Sequence, residues 1–143
     1  MLIVDDQHGV CVSLAFLFEA AGYRVLMAES GHAALTVFES EQVDGAMIDV
    51  HMPIMNGFSV CEALLARAAA LRRTVHVWFM TGAYTDALQR RCSEAGGIRV
   101  FRKPFDFPGI WSALETDFAG PASVPCVPSV ITTGAPSGNG GGA

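Results

Sequence analysis

Short apolar runs alternate with amphipathic segments along residues 1–118 of the chain. The runs are rich in β-branched and aromatic residues, which is typical of buried strands. They span about residues 2–4, 24–28, 44–48, 74–80 and 98–101. Between them, apolar residues recur at helical spacing over about residues 8–21, 31–41, 58–70, 85–95 and 107–118. Five strands that alternate with five helices predict a parallel sheet joined by right-handed crossovers.

Turn and capping residues support these boundaries. Gly22 follows the first helix and Gly96 follows the fourth, where glycine commonly ends a helix. Ser30 stands directly before the second helix and can cap its free backbone N–H groups. A loop that contains Pro53 and Gly57 separates the third strand from the third helix.

The composition of the chain changes after Ala119. Residues 120–143 contain four prolines, six glycines and no charged residue. Such a segment buries too little apolar surface to offset the entropy that is lost on ordering. We therefore predict one folded domain over residues 1–118 and a disordered Gly/Pro-rich tail over residues 119–143.

Composition and charge narrow the classes of function. The chain has 143 residues, enough for one core, and its net charge of −5 gives no reason to expect direct nucleic-acid binding. No apolar run reaches the length of a membrane span. Four cysteines lack metal-ligand spacing and are expected to be reduced thiols: Cys11, Cys61, Cys92 and Cys126. We therefore expect a cytoplasmic protein without membrane contact.

Polar residues follow four of the five predicted strands. Asp5 and Asp6 follow the first strand, and Asp49 follows the third. Thr81 follows the fourth strand and Lys103 comes after the fifth. Ligands of open α/β sheets bind at the carboxyl ends of the strands, so these side chains are expected to converge there. Three carboxylates, a hydroxyl and an ammonium group at one edge predict a site for a divalent metal and a phosphoryl group.

The chemistry of such a site follows from the residue types. A carboxylate such as Asp49 can attack phosphorus and form an acyl phosphate, but two anions must then approach each other. Mg²⁺ held by the acidic pair Asp5-Asp6 would screen that repulsion, since this ion prefers carboxylate, water and phosphate oxygens. Lys103 supplies a positive charge to the phosphoryl oxygens and Thr81 a hydroxyl donor. Without metal, the three acids repel, so raised pKa values are expected among them.

Four sequence blocks carry a resemblance to a known family. They are Val4-Asp5-Asp6, then Asp49-Val50-His51-Met52-Pro53-Ile54-Met55-Asn56-Gly57, then Met80-Thr81-Gly82-Ala83, then Lys103-Pro104-Phe105. Over residues 1–118 the chain resembles the receiver domain of two-component response regulators. The resemblance implies a doubly wound α/β fold of the flavodoxin-like type. This fold has a five-stranded parallel sheet in the order 2-1-3-4-5 with helices on both faces.

The resemblance also implies a role for each site residue. Asp49 becomes the phosphoacceptor, and Asp6, Asp49 and the backbone carbonyl of His51 become Mg²⁺ ligands, with Asp5 helping directly or through water. Thr81 is the switch hydroxyl, and Lys103 binds phosphate and precedes a cis proline bond. The partners implied are a sensor histidine kinase or a histidine phosphotransfer protein. A downstream protein would bind the face of the fourth helix, fifth strand and fifth helix.

Two positions depart from the family pattern. The family usually has Tyr or Phe three residues before the lysine, where this chain has Val100. Its neighbour Phe101 is expected to face the opposite side of the strand and to pack in the core. His51 stands two residues after the phosphoacceptor, where it either contacts the phosphoryl group or is simply exposed.

The sequence leaves several functional alternatives open. The chain is either a stand-alone single-domain regulator, monomeric or weakly dimeric, or a receiver from a hybrid kinase or transcription factor. It could also be an interaction module that works without phosphorylation. A remote alternative is a Mg²⁺-dependent phosphatase of the haloacid-dehalogenase type, which needs an acid where this chain has His51. As a receiver, it would catalyse only its own phosphorylation and dephosphorylation.

Overall fold

The computed structural model describes residues 1–124, so the disorder predicted for residues 125–143 and the thiol predicted at Cys126 lie outside the described residues. Strands and helices alternate along the chain as predicted. The strands are β1 Leu2–Val4, β2 Leu26–Ala28, β3 Gly45–Asp49, β4 His76–Thr81 and β5 Arg99–Arg102. The helices are α1 His8–Ala20, α2 Gly31–Ser40, α3 Gly57–Ala70, α4 Asp86–Glu94 and α5 Phe107–Ala119.

The five strands form one parallel sheet in the order β2-β1-β3-β4-β5. The predicted doubly wound flavodoxin-like fold is therefore confirmed. The strand register aligns the carboxyl ends: Asp49 pairs with Met80, and Thr81 pairs with Arg102. This alignment is what brings residues that are far apart in the sequence to one edge of the sheet.

Successive residues of each strand enter two separate cores. In β4, Val77 and Phe79 pack in a core with α2 and α3, while Trp78 and Met80 pack in a core with α1 and α5. The sheet is thus buried on both faces, because alternate side chains of a strand point to opposite sides. This explains why the middle residues of the strands are apolar, while polar residues such as Asp49, Thr81 and Arg102 stand at strand ends.

Element ends differ from the predicted ones by one or two residues. Asp49 and Thr81 are the last residues of β3 and β4, where the sequence pattern had placed them just after the strands. Ser30 caps α2 as predicted, since its hydroxyl accepts a hydrogen bond from the Ala33 N–H at 3.1 Å. In the first residues of the predicted tail, the Ser123 N–H donates to the Val75 carbonyl at 3.0 Å. Ser123 therefore forms an antiparallel bridge with Val75, the residue just before β4.

Of the cysteines within residues 1–124, all three are buried and none is bonded to another of them: Cys11, Cys61 and Cys92. Burial raises the pKa of Cys11 to about 11, of Cys61 to about 12 and of Cys92 to about 11. Thiols with such pKa values stay protonated near neutral pH, so they behave as small apolar core residues. Within residues 1–124, no helix combines the length and the apolar character that crossing a bilayer requires.

Candidate functional site

Two strand ends and two of the loops that follow strands build a polar crevice at the carboxyl edge of the sheet. Asp5 follows β1, Asp49 ends β3, Thr81 ends β4 and Lys103 follows β5. The structure brings the side chains of Asp5, Asp6, Asp49 and Lys103 together, because parallel strands in register end at the same edge. Thr81 adjoins them through its backbone, since its carbonyl accepts the Lys103 N–H. The roles assigned to them remain predictions at this point.

An acidic cluster forms the floor and rim of the crevice. Asp5, Asp6 and Asp49 each offer a carboxylate oxygen, and these oxygens lie within 4.8 Å of one another. Asp5 is fully buried and Asp49 is 6% exposed, whereas Asp6 is open to solvent. Carboxylate oxygens at such spacing are the ligands that Mg²⁺ takes in proteins, so the residues fit that ion.

Lys103 is the cation that balances this cluster. Its Nζ lies 2.7 Å from Asp5 Oδ2 and 3.6 Å from Asp49 Oδ1. The backbone holds it there, since the Lys103 N–H donates to the Thr81 carbonyl at 2.8 Å. The bond from Lys103 to Pro104 is cis, as the resemblance implied. One lysine against three carboxylates leaves the crevice with an excess of negative charge, which favours a divalent cation.

The buried carboxyl group of Asp49 has a raised pKa. Burial is the main cause, and the negative charge of Asp5 adds to it. Lys103 and a hydrogen bond from the His51 backbone act in the opposite direction but do not cancel the effect. The raised pKa expected among the three acids is therefore found at Asp49, and a bound cation would relieve its cause.

Thr81 is fully buried at the end of β4, one residue after Met80, the register partner of Asp49. Its Oγ1 accepts a hydrogen bond from the Ala83 N–H at 3.1 Å. A hydroxyl that accepts one bond keeps its own hydrogen, so Thr81 can still donate to an oxygen placed beside it.

The loop from Val50 to Gly57 fixes the direction of Asp49. The Val50 N–H donates to the Met80 carbonyl and the Gly57 N–H donates to the Val50 carbonyl, each at 3.0 Å. A Cβ atom at position 57 would lie 2.4 Å from the Asp49 carbonyl oxygen, so only glycine fits this close approach. Ile54, at the loop tip, has φ of 68° and is 98% exposed.

The two departures from the family pattern have clear positions in the structure. Val100 is partly buried and packs against the core that α2 and α3 cover, while Phe101 packs against the opposite core. Phe101 therefore faces away from Val100, as predicted. His51 is exposed, and its backbone contributes a hydrogen bond to the Asp49 carboxylate.

Sequence reasoning missed the backbone donors of the site. The Gln7 N–H binds Asp5 Oδ1 at 2.9 Å, so both oxygens of Asp5 already have partners, Gln7 and Lys103. The oxygens of Asp5 are therefore less available to any further ligand. Residue type carries no signal for a backbone donor, since every residue except proline has one.

Comparison with known families decides which class of protein uses this crevice. The family model of the response regulator receiver domain matches residues 1–115. The chain belongs to this family. It is a receiver domain, the signalling module of two-component systems, and not an enzyme of the conventional kind.

Several curated relatives share the receiver. Sporulation initiation phosphotransferase F of Bacillus subtilis is 30% identical over 115 residues, which are 80% of this chain and 90% of that protein. Sensory/regulatory protein RpfC of Xanthomonas campestris is 31% identical over 73% of this chain but only 14% of its own length. The transcriptional regulatory protein ZraR of Salmonella typhimurium is 31% identical over 83% of this chain and 26% of its own length. The chain thus spans most of the first relative and a small part of the other two.

Solved structures share the receiver fold. The chemotaxis protein CheY4 of Vibrio cholerae superimposes with a TM-score of 0.74 at 23% identity, over 80% of this chain and 94% of that one. A CheY-like receiver domain protein from Methanospirillum hungatei gives a TM-score of 0.72 at 24% identity, over 82% and 91%. At these identities the likeness supports the fold alone.

Proposed function

We propose that this receiver accepts a phosphoryl group on Asp49 from the histidine of a sensor kinase or phosphotransfer protein and then switches its protein contacts. The observation that carries the proposal is the position of Lys103 Nζ, 2.7 Å from Asp5 and 3.6 Å from Asp49. A cation anchored between the cluster and the phosphoacceptor is suited to bind a phosphoryl oxygen. The names of two relatives support the proposal, since one is called a phosphotransferase and another a sensory/regulatory protein.

The transfer is an exchange of one bond to phosphorus for another. A carboxylate oxygen of Asp49 attacks phosphorus, and the bond from phosphorus to the donor imidazole nitrogen breaks. The electron pair of that bond returns to the imidazole. Lys103 exchanges part of its contact with Asp5 for a phosphoryl oxygen, and Thr81 donates its hydroxyl hydrogen to another. The product is an acyl phosphate on Asp49.

The acidic cluster fits the Mg²⁺ ion that the receiver family implies. Asp6 and Asp49 would hold it with the His51 backbone carbonyl, and Asp5 would support it directly or through water. When bound, Mg²⁺ neutralises the negative charge on the phosphoryl oxygens during transfer. Asp6 is exposed, so the cluster is reached from solvent on the side of this residue.

An apolar surface beside the crevice suits a protein donor. On α1, Val12 is 45% exposed and Phe16 is 71% exposed. A cavity of about 560 Å³ lies between α1 and the start of α5, with Val10, Phe105 and Phe107 in its wall. Gln7 also lines this cavity and directly follows Asp6, so a helix that packs here would present its histidine to the crevice.

We propose that a downstream protein binds the face formed by α4, β5 and α5. Residues 1–118 are the unit that switches. A phosphoryl group adds negative charge at one end of β4 and β5, and these strands lead directly into α4 and α5. Switching by a local charge change of this kind needs only that the two surface arrangements differ by a few kcal/mol.

Intact mass spectrometry tests the proposal. The protein is incubated with phosphoramidate, with Mg²⁺ or with a chelator, as wild type, Asp49→Asn and Asp44→Asn. Asp44 is exposed and lies just before β3, at the end of the strand opposite to Asp49, so Asp44→Asn is a matched control. We expect one phosphoryl group on wild type and on Asp44→Asn, only with Mg²⁺. Equal incorporation into Asp49→Asn would contradict the proposal.

A further inference from the structure

Tyr84 lies in the loop after β4, close in sequence to Thr81, whereas β5 has Val100 where the receiver family usually has an aromatic residue. Val100 occupies the β5 position and is too small and too stiff to swing between two environments. Tyr84 follows Thr81 by three residues and is partly buried. Its ring lies under the Arg102 guanidinium, with 5.0 Å between the ring centroid and Cζ. Arg102 is also the register partner of Thr81 across β4 and β5.

Short hydrogen-bonded turns tie Tyr84 to Thr81 on one side and to α4 on the other. The Thr81 hydroxyl accepts the Ala83 N–H at 3.1 Å, and Ala83 directly precedes Tyr84. On the other side, the Thr85 hydroxyl caps α4 by accepting the Leu88 N–H at 3.0 Å. When Thr81 Oγ1 moves toward a phosphoryl oxygen, the Ala83 N–H loses this acceptor and the short loop that carries Tyr84 is released.

We propose that Tyr84 and Arg102 form the contact through which the position of Thr81 reaches the protein surface. The proposal rests on the function proposed above, since the phosphoryl group on Asp49 is what draws Thr81 away from Ala83. Tyr84 then leaves the guanidinium of Arg102, and that cation becomes free on the exposed side of β5. A cation–π contact at a solvent-exposed site is weak, so it can be given up when Thr81 moves.

Fluorine NMR on the full chain reports this contact directly. The chain has two tyrosines, so labelling with 3-fluorotyrosine gives two resonances, which Tyr84→Phe and Tyr23→Phe assign. Tyr23 packs edge-on against Phe18 at 5.3 Å and stacks on Trp111 of α5 at 6.3 Å, so its resonance reports on α5 and not on the loop after β4. After phosphorylation with phosphoramidate and Mg²⁺, the Tyr84 resonance should move to the position found in unphosphorylated Arg102→Ala.

Three variants separate this coupling from a merely structural role. In Thr81→Ala, examined once intact mass shows full phosphorylation, the Tyr84 resonance should no longer respond. Arg102→Lys keeps a cation over the ring and should retain the response. Arg91→Ala removes a similar contact, with Cζ 4.7 Å from the Phe58 ring, and should leave the Tyr84 response unchanged.

The outcomes distinguish this proposal from the function on which it rests. A wild type that gains a phosphoryl group by mass while the Tyr84 resonance stays in place would overturn the Tyr84–Arg102 contact alone. An undiminished response in Thr81→Ala would also overturn it, because the coupling would then bypass Thr81. A wild type that gains no phosphoryl group would overturn the proposed function and this contact together.

Discussion

At the scale of single residues, Asp49 is a carboxyl group whose charge is disfavoured by its surroundings. Burial and the Asp5 charge raise its pKa above the usual 3.8, so the folded protein favours the neutral form. A raised pKa means that the stability contributed by this group is present at low pH and is lost as the pH rises through the folded-state pKa. Near neutral pH, metal-free Asp49 therefore destabilises the fold.

Substitution by asparagine should remove this penalty. In chelator, we expect Asp49→Asn to be more stable than wild type by on the order of 1 kcal/mol near pH 7. The difference should shrink as the pH falls through the raised pKa of folded Asp49, and should vanish below 3.8, where the carboxyl group is neutral in the folded and the unfolded chain. Urea unfolding of both proteins at several pH values measures it. Mg²⁺ should stabilise wild type more than the variant, and a difference that is independent of pH would contradict the account.

The site residues could be predicted by type, but their separate positions could not. Asp5 and Asp6 both follow β1, and by residue type they form one acidic pair whose roles only the family resemblance separates. In the structure Asp5 is fully buried against Lys103 and Asp6 is exposed. The turn at Gln7 decides which acid points inward, since the Gln7 N–H binds Asp5. No periodicity in the sequence encodes a single backbone hydrogen bond.

At the scale of elements, the junction between β3 and α3 depends on one glycine. Gly57→Ala would place a Cβ 2.4 Å from the Asp49 carbonyl oxygen, and backbone must shift to admit it. We expect a loss of about 1–3 kcal/mol in the free energy of unfolding and slower phosphorylation of Asp49. Urea unfolding and intact mass measure the two effects.

Gly9→Ala is the matched control for that substitution. Gly9 lies inside α1, and nothing lies within 4 Å of the Cβ that alanine would add. Alanine in a helix should raise the stability by roughly 0.5–1 kcal/mol. If Gly57→Ala raised the free energy of unfolding as Gly9→Ala should, the close approach of residue 57 to the Asp49 carbonyl would not restrict this position to glycine.

The packing of α5 on the sheet depends on a buried carboxylate. Asp117 accepts hydrogen bonds from Trp78 Nε1 and Arg99 Nε, both at 2.7 Å. Asp117→Ala leaves the buried indole N–H without this partner, so we expect a loss of about 1–3 kcal/mol in unfolding free energy. Asp117→Asn keeps an acceptor for Trp78 and should lose less. Equal stability of wild type and Asp117→Ala in urea would contradict this assignment.

Element types followed from the sequence because apolar runs and helical periodicity agree along residues 1–118. The contacts between elements were harder to predict. Arg99 and Asp117 form an ion pair within the chain, whereas each is an ordinary surface residue by pattern. The bridge from Ser123 to Val75 was missed because Ser123 lies in the proline- and glycine-rich stretch. Both contacts depend on tertiary placement, which local pattern does not encode.

At the scale of the whole molecule, transfer from a protein donor should need the α1 surface, whereas phosphorylation by a small molecule should need only the crevice. Phe16 on α1 is 71% exposed, so Phe16→Ala should change stability little. If a donor helix packs on it, transfer from a phosphorylated histidine phosphotransfer protein active on wild type should slow about tenfold. Phosphorylation by phosphoramidate should be unchanged. The two rates are measured by intact mass over time.

Leu71→Ala is the control for that experiment. Leu71 is 46% exposed and follows the end of α3, at the edge of the sheet opposite the crevice. The Leu71→Ala variant should accept the phosphoryl group from both donors at the wild-type rate. Equal slowing of Phe16→Ala and Leu71→Ala would mean that loss of exposed apolar area, and not the α1 surface, controls transfer.

Locating the phosphoryl group tests the central claim most directly. Borohydride reduces an acyl phosphate to an alcohol and so converts a phosphorylated aspartate into homoserine. After phosphorylation, reduction and digestion, peptide sequencing by mass spectrometry reads positions 5, 6 and 49 in one sample. The account predicts homoserine at position 49 alone, with aspartate retained at positions 5 and 6. Homoserine at position 5 or 6, or at none of the three, would contradict the assignment of Asp49 as the phosphoacceptor.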